Sequence, residues 1–204
     1  MRVHISQTGL EYEGFIRIES ADLAFEKFSG EMSGAVRRYR YHRGDVAAVM
    51  IYDAGRDRVL LIRQFRYAVH ARTGDGWVIE CVAGMQEKGE SIEVVARREV
   101  LEETGLKLAG LDMLAEYFFS PGTCSDKVHL FLGALEDPEQ SLGVHGVAQE
   151  GEDIQACWMP LSQALEMARS GQIQDAKTLI GLHMLESRLR RGQVKSEKWR
   201  VESG

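Results

Sequence analysis

The stretch REVLEETGL, residues 98–106, constrains this 204-residue chain more than any other feature. Its apolar spacing, at about 100° per residue, predicts a helix over residues 91–104. On that helix Glu99 and Glu103 lie within about 60° of Ile92, in the middle of the apolar stripe. Because burying an ionised carboxylate costs several kcal/mol, neighbouring carboxylates in such a stripe require cations.

Two interpretations of this helix differ in where the glutamates lie. A solvated helix face explains the Arg98–Glu102 pair, which has i,i+4 spacing. The stripe positions of Glu99 and Glu103 argue against that reading, and so does Glu90, a further carboxylate just before the helix. Carboxylates without His or Cys form a hard-oxygen site that suits Mg²⁺ or Mn²⁺ rather than zinc. Such ions also bind phosphate oxygens, so the cluster predicts phosphoryl chemistry.

Charge and cysteine content narrow the partners and the compartment. The net charge of −6 and the absence of a long basic run argue against nucleic-acid or anionic-membrane partners. Three widely spaced cysteines without a CxxC motif argue against a disulfide framework or a zinc site, and indicate a reducing cytoplasm. The N-terminus lacks the apolar core of a signal peptide, and no segment reaches the ~18 apolar residues of a membrane span.

The chain is predicted to have two regions. Residues 1–43 alternate apolar and polar in short runs, which predicts two or three antiparallel strands with a turn at Ser29-Gly30. So small a sheet cannot bury a core alone, and we expect it to pack on the rest of the chain or on a second copy. Residues 44–204 are expected to form the main domain.

The main domain is predicted to be a mixed sheet with helices, an α+β fold arranged as an α/β/α sandwich. Residues 136–154 are polar and acidic and are expected to form a long loop. Apolar runs predict strands over residues 45–53, 58–69, 76–84, 114–120, 127–135 and 154–160, and two closing helices over 161–171 and 175–191.

Together with Gly84 and Glu90, the helix fits the Nudix box pattern G-x5-E-x7-R-E-U-x-E-E-x-G-U at every fixed position, where U is apolar. The chain therefore resembles the Nudix family, which hydrolyses nucleoside diphosphates linked to another moiety with the help of a divalent metal. The matched positions are Gly84, Glu90, Arg98, Glu99, Val100, Glu102, Glu103, Gly105 and Leu106. The resemblance implies the Nudix fold, with Arg98 orienting the carboxylates. It implies that the metal ligands are Glu99, Glu102, Glu103 and the carbonyl of Ala83.

A second set of segments resembles the ADP-ribose pyrophosphatase subfamily. Pro121 lies 16 residues past Gly105, the position of a proline that marks that subfamily. The likeness covers roughly residues 12–190, including IRQFRYAV and GQIQDAKTLIGLHML. It implies Mg²⁺-dependent hydrolysis of ADP-ribose to AMP and ribose 5-phosphate, with two or three ions and Mn²⁺ as a substitute. It also implies a homodimer in which the 1–43 strands exchange between subunits.

The resemblance also implies which residues contact the substrate. For three of them the alternative is a purely structural or surface position. Phe15 would stack on adenine or would be a core aromatic. Arg38 and Arg66 would contact substrate, with Arg66 on the diphosphate, or would be surface charges on strands. Met85 is expected to contact substrate. Tyr39, after Arg38, departs from the subfamily pattern and leaves base selectivity open.

The resemblance implies that the general base lies on the acidic loop VAQEGEDI rather than on the helix, and the alternative is that this loop is only solvated. Glu150 is the preferred residue, and Glu152 is the second choice or a further metal ligand. The run CSD after Pro121-Gly122 departs from the subfamily and leaves terminal-ribose selectivity open.

Two other functions remain open. One is a Nudix hydrolase of another nucleoside diphosphate sugar, such as GDP-mannose. The other is a non-catalytic sensor of ADP-ribose or a nucleotide on the same fold. The intact box argues against the sensor, because a sensor need not keep the glutamates.

Overall fold

The computed structural model describes residues 1–147 and 151–194, with eleven strands and four helices in those ranges. The strands are β1 (Val3–Glu13), β2 (Arg17–Phe25), β3 (Val36–His42), β4 (Val46–Asp53), β5 (Arg58–Phe65), β6 (Trp77–Glu80), β7 (Val82–Met85), β8 (Leu108–Phe118), β9 (Lys127–Leu135), β10 (Val144–His145) and β11 (Ile154–Pro160). The helices are α1 (Tyr67–Thr73), α2 (Ile92–Thr104), α3 (Leu161–Arg169) and α4 (Ala176–Arg190).

The chain divides into two compact units. The smaller comprises Met1–Asp45 and Tyr117–Lys127, and the larger comprises Val46–Glu116 and Val128–Gly204. In the smaller unit, β1, β2 and β3 pair antiparallel in that order, which confirms the predicted N-terminal sheet. Four apolar side chains of β1 remain more than half exposed within this chain: Val3, Ile5, Leu10 and Tyr12.

The larger unit is built on a mixed sheet of order β10-β11-β5-β4-β9-β8, with β6 added to β5 and β7 added to β4. Strand β4 runs parallel to β9 and antiparallel to β5 and β7. Because side chains alternate across a strand, β4 packs on both faces. Val49 and Ile51 join the buried cluster that includes the apolar side of α2. Met50 faces α4, where a Cβ built on Gly181 would lie 2.8 Å from its Cε atom. The α/β/α layering is confirmed.

The sequence missed helix α1. The predicted strand over residues 58–69 ends at Phe65, and the chain turns into α1 at Tyr67. The backbone N–H of Arg66 donates to the carbonyl of Gly76 (2.7 Å). This bond joins the two ends of the segment that contains α1. Gly74 ends the helix with φ 81°, a conformation that favours glycine.

The structure divides the predicted strand over residues 76–84 into two strands. Strand β6 pairs with β5 and strand β7 pairs with β4, and they separate at Cys81. The backbone N–H of Cys81 donates to Oγ1 of Thr178 (2.7 Å), so a side chain of α4 satisfies it rather than a neighbouring strand.

The strand predicted over residues 114–120 begins six residues earlier, as β8, and the other elements agree with the sequence to within a few residues. In its described part, the long loop contains the short strand β10. All three cysteines carry free thiols, as expected. Among the described helices, none has both the length and the apolar character to cross a membrane.

Candidate active site

Helix α2 carries the glutamates because its two ends are well defined and its inner face is apolar. The side chain of Ser91 accepts from the Val94 N–H at the first turn, and Gly105 closes the last turn with φ 70°. Val95 and Val100 are fully buried on the inner face. Glu103 lies in the same stripe and keeps only 3% exposure. The predicted inward position of this carboxylate is therefore confirmed.

Arg98 gathers the carboxylates around one guanidinium group. Its Nε and Nη2 donate to both oxygens of Glu90 (3.1 and 3.2 Å). Its Nη1 donates to Glu99 (2.7 Å) and to Glu102 (3.1 Å). Its Nη2 also donates to the backbone carbonyl of Met85 in β7 (3.1 Å), so the arginine joins the helix to the sheet. Charge-assisted bonds of this kind hold the carboxylates in place, and the role of Arg98 toward a metal or substrate stays a prediction.

Gly84 leaves the space in which Glu99 lies. A Cβ built on Gly84 would lie 1.8 Å from both Cδ and Oε1 of Glu99, a distance no side chain can occupy. A side chain at position 84 would therefore displace the Glu99 carboxylate from where it lies against strand β7.

Glu103 is buried beside another acid with little compensation. Its Oε2 accepts the backbone N–H of Ala83 (3.3 Å). Burial, together with the charge of Glu99, raises the pKa of Glu103 to about 9. Burial also raises the pKa of Glu99 to about 7, because it outweighs the opposing effect of Arg98. Two carboxyl groups on one helix face thus resist ionisation together.

This donor set fits a divalent cation. Glu99 and Glu103 offer hard oxygen ligands next to the backbone of Ala83, and a bound cation would relieve the unfavourable burial of both charges. Within the described part of the chain, no group of three or more His, Cys, Asp and Glu side chains is already assembled around a metal position. One reason is visible in the hydrogen bonds, because Arg98 holds the Glu99 and Glu102 carboxylates.

Of the two residues predicted as general base, one can be located. The charge of Glu152 contributes to the raised pKa values of Glu99 and Glu103, so it lies within electrostatic reach of both. Its Oε2 accepts the backbone N–H of Val147 (3.1 Å). Glu150 lies outside the described residues, and its assignment stays a prediction.

Arg66 belongs to a second charged cluster that the sequence did not indicate. Its Nε and Nη2 donate to the two oxygens of Glu80 (2.7 and 3.0 Å), a bidentate pair. Glu80 is 3% exposed and also accepts from the ammonium of Lys177. Lys177 donates in turn to Asp175 (2.8 Å). We call these four side chains the Glu80 network.

The Glu80 network is attached to the start of helix α4. The Asp175 carboxylate caps the helix by accepting the backbone N–H of Thr178 (3.0 Å) and its hydroxyl. The same hydroxyl accepts the N–H of Cys81 at the break between β6 and β7. The one sign of this network in the sequence is a single acid, Glu80, within the apolar run WVIECV. Its partners lie far away along the chain, so no local pattern connects them with it.

Phe15 and Arg38, both predicted to contact substrate, lie in the smaller unit. The Phe15 ring is exposed, with the guanidinium carbon of Arg43 3.5 Å from its centroid, so it is not a core aromatic. Arg38 lies on β3 beside an open depression of 690 Å³, and its Nη1 donates to the carbonyl of Arg37 (3.2 Å). Their roles toward substrate stay predictions.

The fold and the site together define an α/β/α protein whose sheet-packed helix presents clustered carboxylates for a divalent cation. The chain belongs to the NUDIX family, whose domain matches residues 42–179.

Named relatives span most of the chain. An ADP-ribose pyrophosphatase of Escherichia coli (strain K12) is 37% identical over 175 residues, which cover 86% of this chain and 83% of that protein. An ADP-ribose pyrophosphatase of Haemophilus influenzae is 36% identical over 193 residues, covering 90% and 88%. A GDP-mannose pyrophosphatase of Salmonella arizonae is 38% identical over 157 residues, covering 75% and 81%.

A solved structure supports the fold independently. A crystal structure described as an ADP compounds hydrolase superposes with a TM-score of 0.69, covering 95% of this chain and 98% of that chain. Its sequence is 21% identical, so this likeness concerns the fold alone.

Proposed function

We propose that this protein hydrolyses the diphosphate of ADP-ribose, giving AMP and ribose 5-phosphate, with Mg²⁺ as the cation. The observation that carries the proposal is the pair of inward carboxylates on one helix face, Glu99 and Glu103, whose burial beside each other raises the pKa of both. The ADP-ribose pyrophosphatases that are 36 and 37% identical over most of the chain support the substrate.

The residues of the site would have separate roles in this reaction. Glu99, Glu102 and Glu103, with the Ala83 carbonyl, would hold the cation, and Arg98 keeps the first two carboxylates in position. When bound, a divalent cation neutralises the diphosphate and makes a nearby water more acidic. The number of ions stays a prediction.

Two further steps belong to other side chains. Arg66 would bind a phosphate oxygen through Nη1, since Glu80 occupies its Nε and Nη2 and no described residue accepts from Nη1. A carboxylate of the acidic loop, Glu150 or Glu152, would take the proton from the attacking water. Met85, whose carbonyl accepts from Arg98, would also contact the substrate.

We further propose a cytoplasmic homodimer. The exposed apolar side chains of β1 support it, since one chain alone leaves them in water. In a dimer, Phe15 and Arg38 of the smaller unit would reach substrate, with Phe15 stacking on adenine. Sedimentation of the wild type and of Leu10→Glu would test this proposal, and a wild-type monomer would contradict it.

GDP-mannose or another nucleoside diphosphate sugar is the second candidate substrate. The 38%-identical GDP-mannose pyrophosphatase supports it. A non-catalytic sensor is the third reading, and it has no support from the named relatives above.

One experiment separates these functions. Purified protein is incubated with ADP-ribose, GDP-mannose and related compounds, with Mg²⁺ or with excess chelator, and the products are identified by chromatography. We expect AMP and ribose 5-phosphate from ADP-ribose, lost on chelation and restored by added Mg²⁺. Faster turnover of GDP-mannose would favour the second candidate, and no turnover of any compound would favour the sensor.

A further inference from the structure

The Glu80 network contains a lysine to which neither the resemblance nor the NUDIX box gives a role. Lys177 is the second residue of helix α4, and its side chain is 11% exposed. Its ammonium bridges the carboxylates of Glu80 and Asp175. A buried lysine requires such partners, so its position is fixed on two sides.

The charges of the network balance only when Lys177 is present. Arg66 and Lys177 supply two positive charges, and Glu80 and Asp175 supply two negative ones. Without the lysine, two acids would share one arginine. The arginine would then be held in a net negative environment, which is unfavourable for binding an anionic diphosphate.

The geometry leaves one side of Arg66 free for a ligand. Glu80 occupies the Nε and Nη2 donors, and no described residue accepts from Nη1. Arg66 and Glu103 also influence each other's pKa, so the guanidinium lies within electrostatic reach of the carboxylate pair. The network therefore borders the candidate active site.

We propose that Lys177 is a positioning residue for substrate binding: through Glu80 it holds Arg66 with Nη1 directed to a phosphate oxygen. The inference rests on the proposed function for the role of Arg66 toward diphosphate. The connection of α4 to Arg66 does not rest on it. A purely structural lysine would fix α4 to the sheet without affecting substrate affinity.

A kinetic test uses Lys177→Met, Lys177→Arg and a matched control, Arg58→Met. Arg58 pairs with the buried Asp53 (2.9 Å) at the β4–β5 turn of the same unit, so its loss disrupts a comparable pair that the proposal does not involve. For Lys177→Met we expect KM for ADP-ribose to rise about tenfold while kcat changes less than about threefold. Lys177→Arg should restore KM. Arg58→Met should lower the melting temperature and leave KM unchanged.

A second test does not depend on turnover. In ¹⁵N-labelled protein, the Nε–H signal of Arg66, assigned with Arg66→Lys, should exchange slowly with solvent because it donates to Glu80. Lys177→Met should speed that exchange severalfold, while Lys177→Arg and Arg58→Met should not. Unchanged exchange in Lys177→Met, or a lower melting temperature with unchanged KM, would overturn the proposal. A wild type that does not hydrolyse ADP-ribose would overturn the proposed function alone, since the exchange measurement would still test the positioning.

Discussion

Glu80 and Glu103 are equally buried, and their pKa values shift in opposite directions. Each of the two residues keeps 3% of its surface exposed. Burial alone would raise the pKa of Glu80, but the hydrogen bond from Arg66 and the charge of Lys177 lower it below its ordinary value. Burial raises the pKa of Glu103 to about 9, with help from the charge of Glu99. The neighbours, rather than the depth, decide whether a buried acid is ionised.

This contrast separates a charge cluster that is balanced within the protein from one that lacks positive charge. The Glu80 network carries its own counter-charges and is complete without a ligand. In the cluster around α2, one arginine, Arg98, is paired with three acids, Glu90, Glu99 and Glu102. A site that is short of positive charge is suited to accept a cation, whereas a balanced one is suited to hold its parts in place.

Loss of an unbalanced carboxylate should have the largest effect on activity. We expect Glu99→Gln to lower kcat for ADP-ribose by at least ~10³-fold, because a metal ligand is removed. Glu93→Gln, on the exposed side of the same helix, is the control and should retain full rate. Steady-state kinetics with saturating Mg²⁺ would measure both, and unimpaired turnover in Glu99→Gln would refute its role as a ligand.

Loss of the balanced acid should instead cost stability. We expect Glu80→Gln to lower the free energy of unfolding by roughly 3 kcal/mol, since two cations lose their buried partner. Urea denaturation followed by fluorescence would measure it. A loss no greater than that of a surface control such as Glu93→Gln would remove the distinction between the two clusters.

Glu103→Gln should change the free energy of unfolding in the opposite direction. In metal-free protein near neutral pH we expect it to raise the free energy of unfolding by about 1 kcal/mol, because glutamine removes the cost of burying an acid that is ionised in the unfolded chain. The same variant should lose activity with Mg²⁺. Denaturation in chelator compares it with the wild type, and destabilisation there would contradict a shortage of positive charge around Glu103.

The smallest expected effect is a pH dependence of the Glu80 contribution. A carboxyl whose pKa is lowered on folding contributes stability above its unfolded value, and loses it as the pH falls through the folded value. The difference in unfolding free energy between wild type and Glu80→Gln should therefore be constant near neutral pH and shrink below pH 4.5, the ordinary value. A difference that grew on acidification would show that the sign is wrong.

The two clusters also differ in how far the sequence predicts them. The α2 cluster follows from local periodicity, because Glu99 and Glu103 are one helical turn apart and Arg98 precedes them. The link between Glu80 and Lys177 spans 97 positions, and no local pattern encodes it. The division of residues 76–84 was missed for the same reason, since the bond from Cys81 to Thr178 spans 97 positions.

The two clusters are joined through a very short stretch of chain. Strand β6 ends at Glu80 and strand β7 begins at Val82, so Cys81 alone separates them. Inserting or deleting one residue there would turn one strand's side chains to the opposite face. Either Glu80 would leave its two cations, or Gly84 would no longer make room for Glu99. Any redesign that grafts a new loop into this fold should therefore spare residues 80–84, where the frame of the chain sets the positions of both Glu80 and Glu99.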